Sequence, residues 1–320
     1  MTVEDGNQAP SRVVIAGFGA CGADVVRLIA KLDPQENTEL CTIGGPDVLE
    51  RATGTQRFRA VELQPQAPRL GSRRPHAVEV AVPGVQALAE KLSGSDVAVL
   101  VMDLTDPSWL EAVPQPGALV RAGQAVGAQE ALSMLLSGAD VKLPQVVIGM
   151  GLVDDRGGPP ALRETLARAS SMWFFKKSWQ TGHEVPQQDG RRRNDAVNLV
   201  RALVDPMHDD GNVRFELPEM KLYAETSGHS QFASTFATGE GRDYLVAQEL
   251  IVMGAANQAA PLAKARRVYL HMRGGKDVAL REVHNLALVV GNSIEVEPEM
   301  FFTSMFVDGE NELTATVVWA

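Results

Sequence analysis

RVVIAGFGACGADVVRLI, residues Arg12 to Ile29, reads as a strand, a glycine turn and a helix in immediate succession. Val13-Val14-Ile15-Ala16 is the apolar run of a buried parallel strand. Val25, Val26, Leu28 and Ile29 then share one helical face. Gly17, Gly19 and Gly22 lie between, with the spacing G-x-G-x-x-G. That arrangement turns the chain sharply and aims backbone N–H groups at a phosphate. The spacing suggests a dinucleotide site, with a tight turn in an α/β sheet without ligand as the alternative.

Working outward, the chain has 320 residues, 45% hydrophobic and 22% charged, which is ordinary for a folded globular protein of one large or two smaller domains. A net charge of −10 argues against a general nucleic-acid binder. Arg191-Arg192-Arg193 has no aromatic interleaving and reads as a solvated helix start. Cys21 and Cys41 lack metal-ligand spacing. No apolar run is long enough to span a membrane, and no signal peptide is evident. A reducing cytoplasm is therefore expected, with MTVEDGNQAP as a disordered leader.

Further strands are expected at Thr38–Ile43, Phe58–Leu63, Asp96–Met102, Gln145–Met150 and Met172–Phe175. Helices are expected at Pro83–Leu92, Gln124–Leu136 and Ala161–Ala169, and loops at Gln64–Pro75 and Thr181–Gly190. This alternation implies a doubly wound, mostly parallel sheet. A dinucleotide oxidoreductase would want an acid at the end of the second strand; Ile43 and Gly44 stand there, and Asp47 comes late. Asn194 to Val204 forms a helix with Ala196, Leu199, Val200 and Leu203 on one face. A second, α+β unit follows, with strands at Gln231–Thr238 and Arg267–Met272 and helices at Arg242–Ala255 and Val278–Val290. Met300–Val307 and Leu313–Trp319 close it, read as a hairpin through Asp308-Gly309.

The second unit resembles the C-terminal domain of FtsZ, the bacterial member of the tubulin superfamily. Ala237-Thr238-Gly239-Glu240-Gly241-Arg242 matches that family's A-[ST]-G-E-x-R turn. Gly274-Gly275 with Leu280-x-Glu282-Val283 and the closing Glu312 to Val318 match two further elements. Gly17 to Asp24 aligns without gaps to the family's first glycine loop. The resemblance implies a GTPase-like domain (1–193), a central helix and loop (194–211) and an FtsZ-like domain (212–320). It also implies GTP or GDP held by Gly17, Gly19, Ala20, Cys21, Gly22, Asp24 and Asp195. Asp195 reads equally as an acid favoured by the helix dipole, and Asp24 as an exposed charge.

The chain departs from the family at two loops. In place of G-G-G-T-G-T-G after the fourth strand, Asp103 to Trp109 has no glycine, and Asp103 and Asp106 stand where phosphate would lie. Like charges about 4 Å apart near a protein surface repel by up to roughly 4 kcal/mol; a metal ion bridging Asp103 and Asp106 to phosphate would reverse that. The catalytic loop N-x-D-x-x-D is matched by Asn212 to Glu219, with Arg214 at the first carboxylate. A guanidinium stays charged and accepts no proton. Glu216 or Glu219 would have to substitute, in a shifted register.

The expectation is thus an FtsZ/tubulin-like cytoskeletal or scaffold protein with degraded loops. It self-associates or joins an FtsZ-like partner and does not hydrolyse GTP efficiently. No tail of the kind that docks FtsZ on membrane anchors in cell division is expected after Ala320. Two alternatives stay open. One is an atypical active GTPase using Asp103, Asp106 and a loop glutamate; the other is a Rossmann-type oxidoreductase binding NAD or FAD. His76, His183, His208, His229, His271 and His284 form no metal pattern. Trp173, Phe174 and Phe175 read as core strand.

Overall fold

The computed structural model describes residues 11–32, 36–44, 46–59, 62–65, 77–81, 83–104, 119–121, 143–152, 160–176, 195–207, 213, 215–257, 259–308 and 311–320. The first unit runs β1 (Val13–Phe18), α1 (Gly19–Ala30), β2 (Thr38–Gly44), α2 (Pro46–Arg51), β3 (Gln56–Arg59), β4 (Glu62–Pro65) and β5 (Ala77–Ala81). It continues with α3 (Pro83–Ser93), β6 (Val97–Asp103), β7 (Leu119–Arg121), β8 (Val146–Leu152), α4 (Pro160–Ala169) and β9 (Met172–Lys176). Then come α5 (Asp195–Val204), α6 (Leu217–Ser227) and β10 (Gly228–His229).

Seven strands form one parallel sheet in the order β10-β9-β8-β6-β1-β2-β3. β1 is buried along its whole length because it has a strand on either side and a helical layer over each face. One face packs on α1, α5 and α6 through Val25, Val26, Leu199, Leu203, Met220 and Tyr223. The other packs on α3 and α4 through Leu88, Leu92 and Leu166. The chain steps outward from β1 to β3, then returns to β6 on the other side of β1. The crevice at the carboxyl ends of β1 and β6 is therefore a topological switch point, where open α/β sheets place ligands.

The expected strand at Phe58–Leu63 is two strands of different sheets. β3 pairs parallel with β2, while β4 pairs antiparallel with β5 in a small sheet that β7 completes. The helix α6, the strand β5 and the two-residue strand β10 were not anticipated. The expected helix at 124–136, the loop at 181–190 and the leader lie outside the described residues.

The second sheet uses β11 (Gln231–Thr238), β12 (Arg267–Gly275), β13 (Glu299–Val307) and β14 (Glu312–Trp319), with α7 (Arg242–Ala256) and α8 (Leu280–Asn292). Its order is β11-β14-β12-β13. β13 and β14 are therefore not a hairpin, contrary to the signal at Asp308-Gly309. The helix α8 makes β12 to β13 a parallel crossover, and β14 then returns to the opposite side of β12. β13 and β14 run in opposite directions, each paired to β12. α7 and α8 cover one face with Val246, Leu250, Val283, Leu286 and Val290.

The other face meets α5 and α6. Tyr269 donates its hydroxyl to the Ala202 carbonyl at 2.5 Å, and Tyr223 donates to the Val318 carbonyl at 3.3 Å. One row of side chains crosses all four strands: Ser234, Thr316, His271 and Thr303, each buried. The proton order follows from Ala202, since a carbonyl only accepts. Tyr269 spends its single proton there, so Thr303 donates to Tyr269 (2.8 Å), and His271 Nδ1 must donate to Thr303 (2.9 Å). His271 is then neutral, with Nε2 buried and without a hydrogen-bond partner among the described residues. Burial, with the charges of Arg273 and Arg201 added, holds its pKa down at about 3. The same joint carries Asp205 between Arg273 (2.8 Å) and Arg201 (3.5 Å).

The unfolded chain binds a proton at His271 near pH 6.5, and the folded chain does so only near 3. Stability from this residue is complete above 6.5 and falls as pH drops toward 3. Chemical denaturation is expected to show about 2 kcal/mol lost from this group between pH 7 and pH 5, at roughly 1.4 kcal/mol per unit. His271→Gln should flatten that part of the profile.

Candidate functional site

The switch-point crevice is built by the opening stretch. A Cβ on Gly17 would lie 2.3 Å from the Gly22 carbonyl oxygen, and one on Gly22 would lie 2.4 Å from the Val101 carbonyl oxygen of β6. These two glycines let α1 lie directly on β1 and β6. Gly19 opens the helix at φ 69°, a conformation that glycine adopts without a steric penalty. Ala20 is exposed and Cys21 half-buried on the first turn. Gly19, Ala20 and Cys21 add no charge there, so an anion would meet backbone N–H groups and the helix dipole.

Asp24 is exposed and pairs with Arg27 one turn on, at 2.9 Å. Asp195 is buried in the first turn of α5, which packs beside α1. Asp103 is the last residue of β6, in register with Leu152. Its side chain, and all of Asp106, lie outside the described residues. Among the described residues no group of three His, Cys, Asp or Glu side chains is placed to hold a metal ion.

The second loop is pinned from both sides. Val213 exchanges backbone hydrogen bonds with Ser304 of β13, at 3.2 and 3.3 Å. The Phe215 amide donates to the Pro206 carbonyl at 3.1 Å. Its ring is buried among Tyr269, Tyr223 and Phe301, stacked on Tyr269 at 5.3 Å. Neither anchor was singled out from sequence; an aromatic residue just ahead of the Glu-x-x-Glu pair was the only signal. Glu216 and Glu219 are both exposed at the N-terminus of α6, where Glu219 Oε2 accepts the Glu216 amide at 3.0 Å. Glu219 thus closes a helix start. Asn212 and Arg214 lie outside the described residues.

The motifs of the second unit turn out to be one ion-pair cluster. Arg242 is buried and donates from Nε and Nη2 to the two oxygens of Glu282, at 2.9 and 3.3 Å. Nη2 also meets Asp277 at 2.9 Å. Glu282 accepts the Ala279 amide at 2.8 Å, closing the start of α8. The Arg242 hydrogen bond is the main cause of the lowered Glu282 pKa. Gly239 and Gly241 stand at φ 81° and 74°, which places Arg242 at the head of α7. Gly274 lets β14 approach, since a Cβ there would lie 2.8 Å from the Glu312 carbonyl oxygen. These residues serve architecture.

No protein-family model matches the sequence, and no curated protein matches it. Solved structures do match. An empty FtsZ dimer from M. jannaschii superposes with a TM-score of 0.63 at 15% identity, over 98% of this chain and 89% of that one. CetZ1 from Haloferax volcanii, a GDP-bound monomer, gives 0.58 at 13%, over 96% and 93%. CetZ2 from the same organism, a GTPγS-bound protofilament, gives 0.53 at 10%, over 96% and 92%. At these identities the likeness establishes the fold: this chain has the two-domain FtsZ/tubulin architecture throughout, as the resemblance implied.

Removing Arg242 would leave Glu282, whose side chain is 17% exposed, with the Ala279 amide but without its guanidinium. Arg242→Gln is expected to cost roughly 2 kcal/mol in denaturant unfolding.

Proposed function

We propose that this chain is an FtsZ/tubulin-like cytoskeletal or scaffold protein that self-associates and does not hydrolyse GTP efficiently. The observation that carries the reading is the state of the loop at 212–219. Arg214 stands at a position where FtsZ has a carboxylate. Of the glutamates that would replace it, Glu219 is turned back onto the Glu216 amide to start α6. A carboxylate used to close a helix is poorly placed to orient an attacking water.

The crevice supports nucleotide binding more than turnover. GTP or GDP would rest its phosphates on the α1 N-terminus at Gly19 to Gly22, with Asp195 as a base contact. Asp24, exposed and paired with Arg27, lies further out. Self-association is supported by two of the matched structures, which are a dimer and a protofilament. The domain limits proposed are 1–193, 194–211 and 212–320. Residues 217–229 nevertheless pack with or extend the first sheet, which gives the last unit a broad footing on the first. No described helix is long and apolar enough to cross a membrane; a cytoplasmic location is part of the proposal.

The test combines phosphate release from Mg-GTP, equilibrium GTP and NAD binding, and negative-stain electron microscopy. Expected are assemblies with phosphate release at the buffer background. Protein-dependent phosphate release abolished by Glu216→Gln or Glu219→Gln would overturn the proposal in favour of an active GTPase. Saturable NAD binding in place of GTP would overturn it in favour of an oxidoreductase. Glu219→Ala is expected to cost about 1 kcal/mol of stability through the lost helix start, with no change in phosphate release.

A further inference from the structure

We propose that the outer face of α7 is a contact for a second copy of this chain, with the two α7 helices antiparallel across a two-fold axis. The inference rests on the self-association proposed above and gives it a place. It needs no nucleotide, because α7 covers the side of the second sheet that faces away from α5 and the crevice.

α7 buries Val246, Ala247, Leu250 and Gly254 on one side. The opposite arc holds Tyr244, Leu245, Gln248, Val252, Ala255 and Ala256, all exposed. Tyr244 is 51% exposed, Leu245 56% and Val252 67%. A surface helix ordinarily carries charge on such an arc; this one carries none. Both carboxylates of α7 are engaged elsewhere: Asn285 of α8 donates to Asp243 at 3.0 Å, and Thr235 of β11 donates to Glu249 at 2.5 Å. One turn on from Asn285, Leu288 is 50% exposed and widens the patch onto α8. The exposed apolar residues of the two helices offer on the order of 500 Å², more than half of the roughly 800 Å² that one partner gives to a stable interface.

Charge and spacing select the occupant. With a net charge of −10, two copies repel wherever their acids meet. An arc without carboxylates is where they approach at least cost. Leu245, Gln248, Val252 and Ala255 recur at intervals of three, four and three residues, the seam spacing of paired helices. Gln248 lies near the middle of α7, and its amide both donates and accepts, so amides from two copies satisfy each other across the axis. The antiparallel arrangement sets the helix dipoles head to tail. It also brings the small Ala255 and Ala256 of one copy to the bulky Tyr244 and Leu245 end of the other. A lipid surface is less well served, because the one cation of α7, Arg242, is buried against Glu282.

The full chain, free of nucleotide, is followed by sedimentation velocity over a range of concentrations. A concentration-dependent dimer is expected. Leu245→Arg and Val252→Glu should each weaken it by about a hundredfold, because a two-fold contact buries the introduced charge twice. Mixing the two variants should give a mixed dimer, since guanidinium and carboxylate then meet across the axis. Leu222→Glu, at a leucine of α6 that is 54% exposed, should leave the dimer unchanged. All three side chains are more than half exposed, and thermal unfolding of each variant checks that the monomer is intact. The proposal is overturned if the dimer survives both α7 variants, if Leu222→Glu dissociates it equally, or if the mixture fails to pair. Assemblies that persist in both α7 variants would overturn this contact and leave self-association standing; a chain that is monomeric throughout would overturn both. Binding to phosphatidylcholine vesicles in place of a dimer, lost in Val252→Glu, would overturn it in favour of a lipid surface.

Discussion

The contact between α1 and the two central strands leaves no space for a methyl group. Gly17 and Gly22 face each other across the first turn, and Gly22 lies against the Val101 carbonyl of β6. Because α1 can press this closely, β1 is sealed beneath it and the sheet can reverse its direction of growth there. Both helical layers, the carboxyl-end crevice and the seat for α5 follow from that approach. The glycines that look like a ligand cradle are thus first a packing device. Only Gly19, at the helix entry, has a backbone conformation that bears on an incoming anion.

The joint between the two sheets rests on hydrogen bonds as much as on apolar area. Aromatic rings of Phe215, Tyr223, Tyr269 and Phe301 fill it at one end. Next to them runs a polar row with a fixed proton order ending on the Ala202 carbonyl. Beyond that row, Asp205 is held by arginines from the α5 side and from β12. Such a seam is satisfied in one arrangement and penalised when displaced, because a buried polar group without its partner has lost its water. The second unit is therefore positioned on α5 with little freedom.

Much of the fold was legible in the residues. β1, β6 and β8 are apolar runs because both faces are covered, and α1 and α5 carry clear inward stripes. The family turn Ala237 to Arg242 and the Gly274-Gly275 pair also identified the second unit correctly. α6 escaped because its start is a closing glutamate that resembled part of a catalytic loop. The supposed hairpin after β13 failed because a turn dipeptide records a reversal of direction, while the neighbour on arrival is set by α8 and the open edge of β12. The aromatic run at Trp173 to Phe175 read as core strand, and the alternation of β9 divides it between two cores, Phe174 under α5 and Phe175 against the cluster under α3 and α4.

The sequence by itself determined the classes of element and the two-unit plan. These are properties of local spacing and residue type, which the chain carries wherever it folds. Tertiary structure alone decided that Arg242 and Glu282 are one cluster, that Glu219 closes a helix, and that Phe215 fills the joint beside Tyr223 and Tyr269. Each of those joins positions far apart in the chain or gives a side chain a partner among several it might have had. Only the packed fold, by excluding water and fixing distances, chooses among such partners.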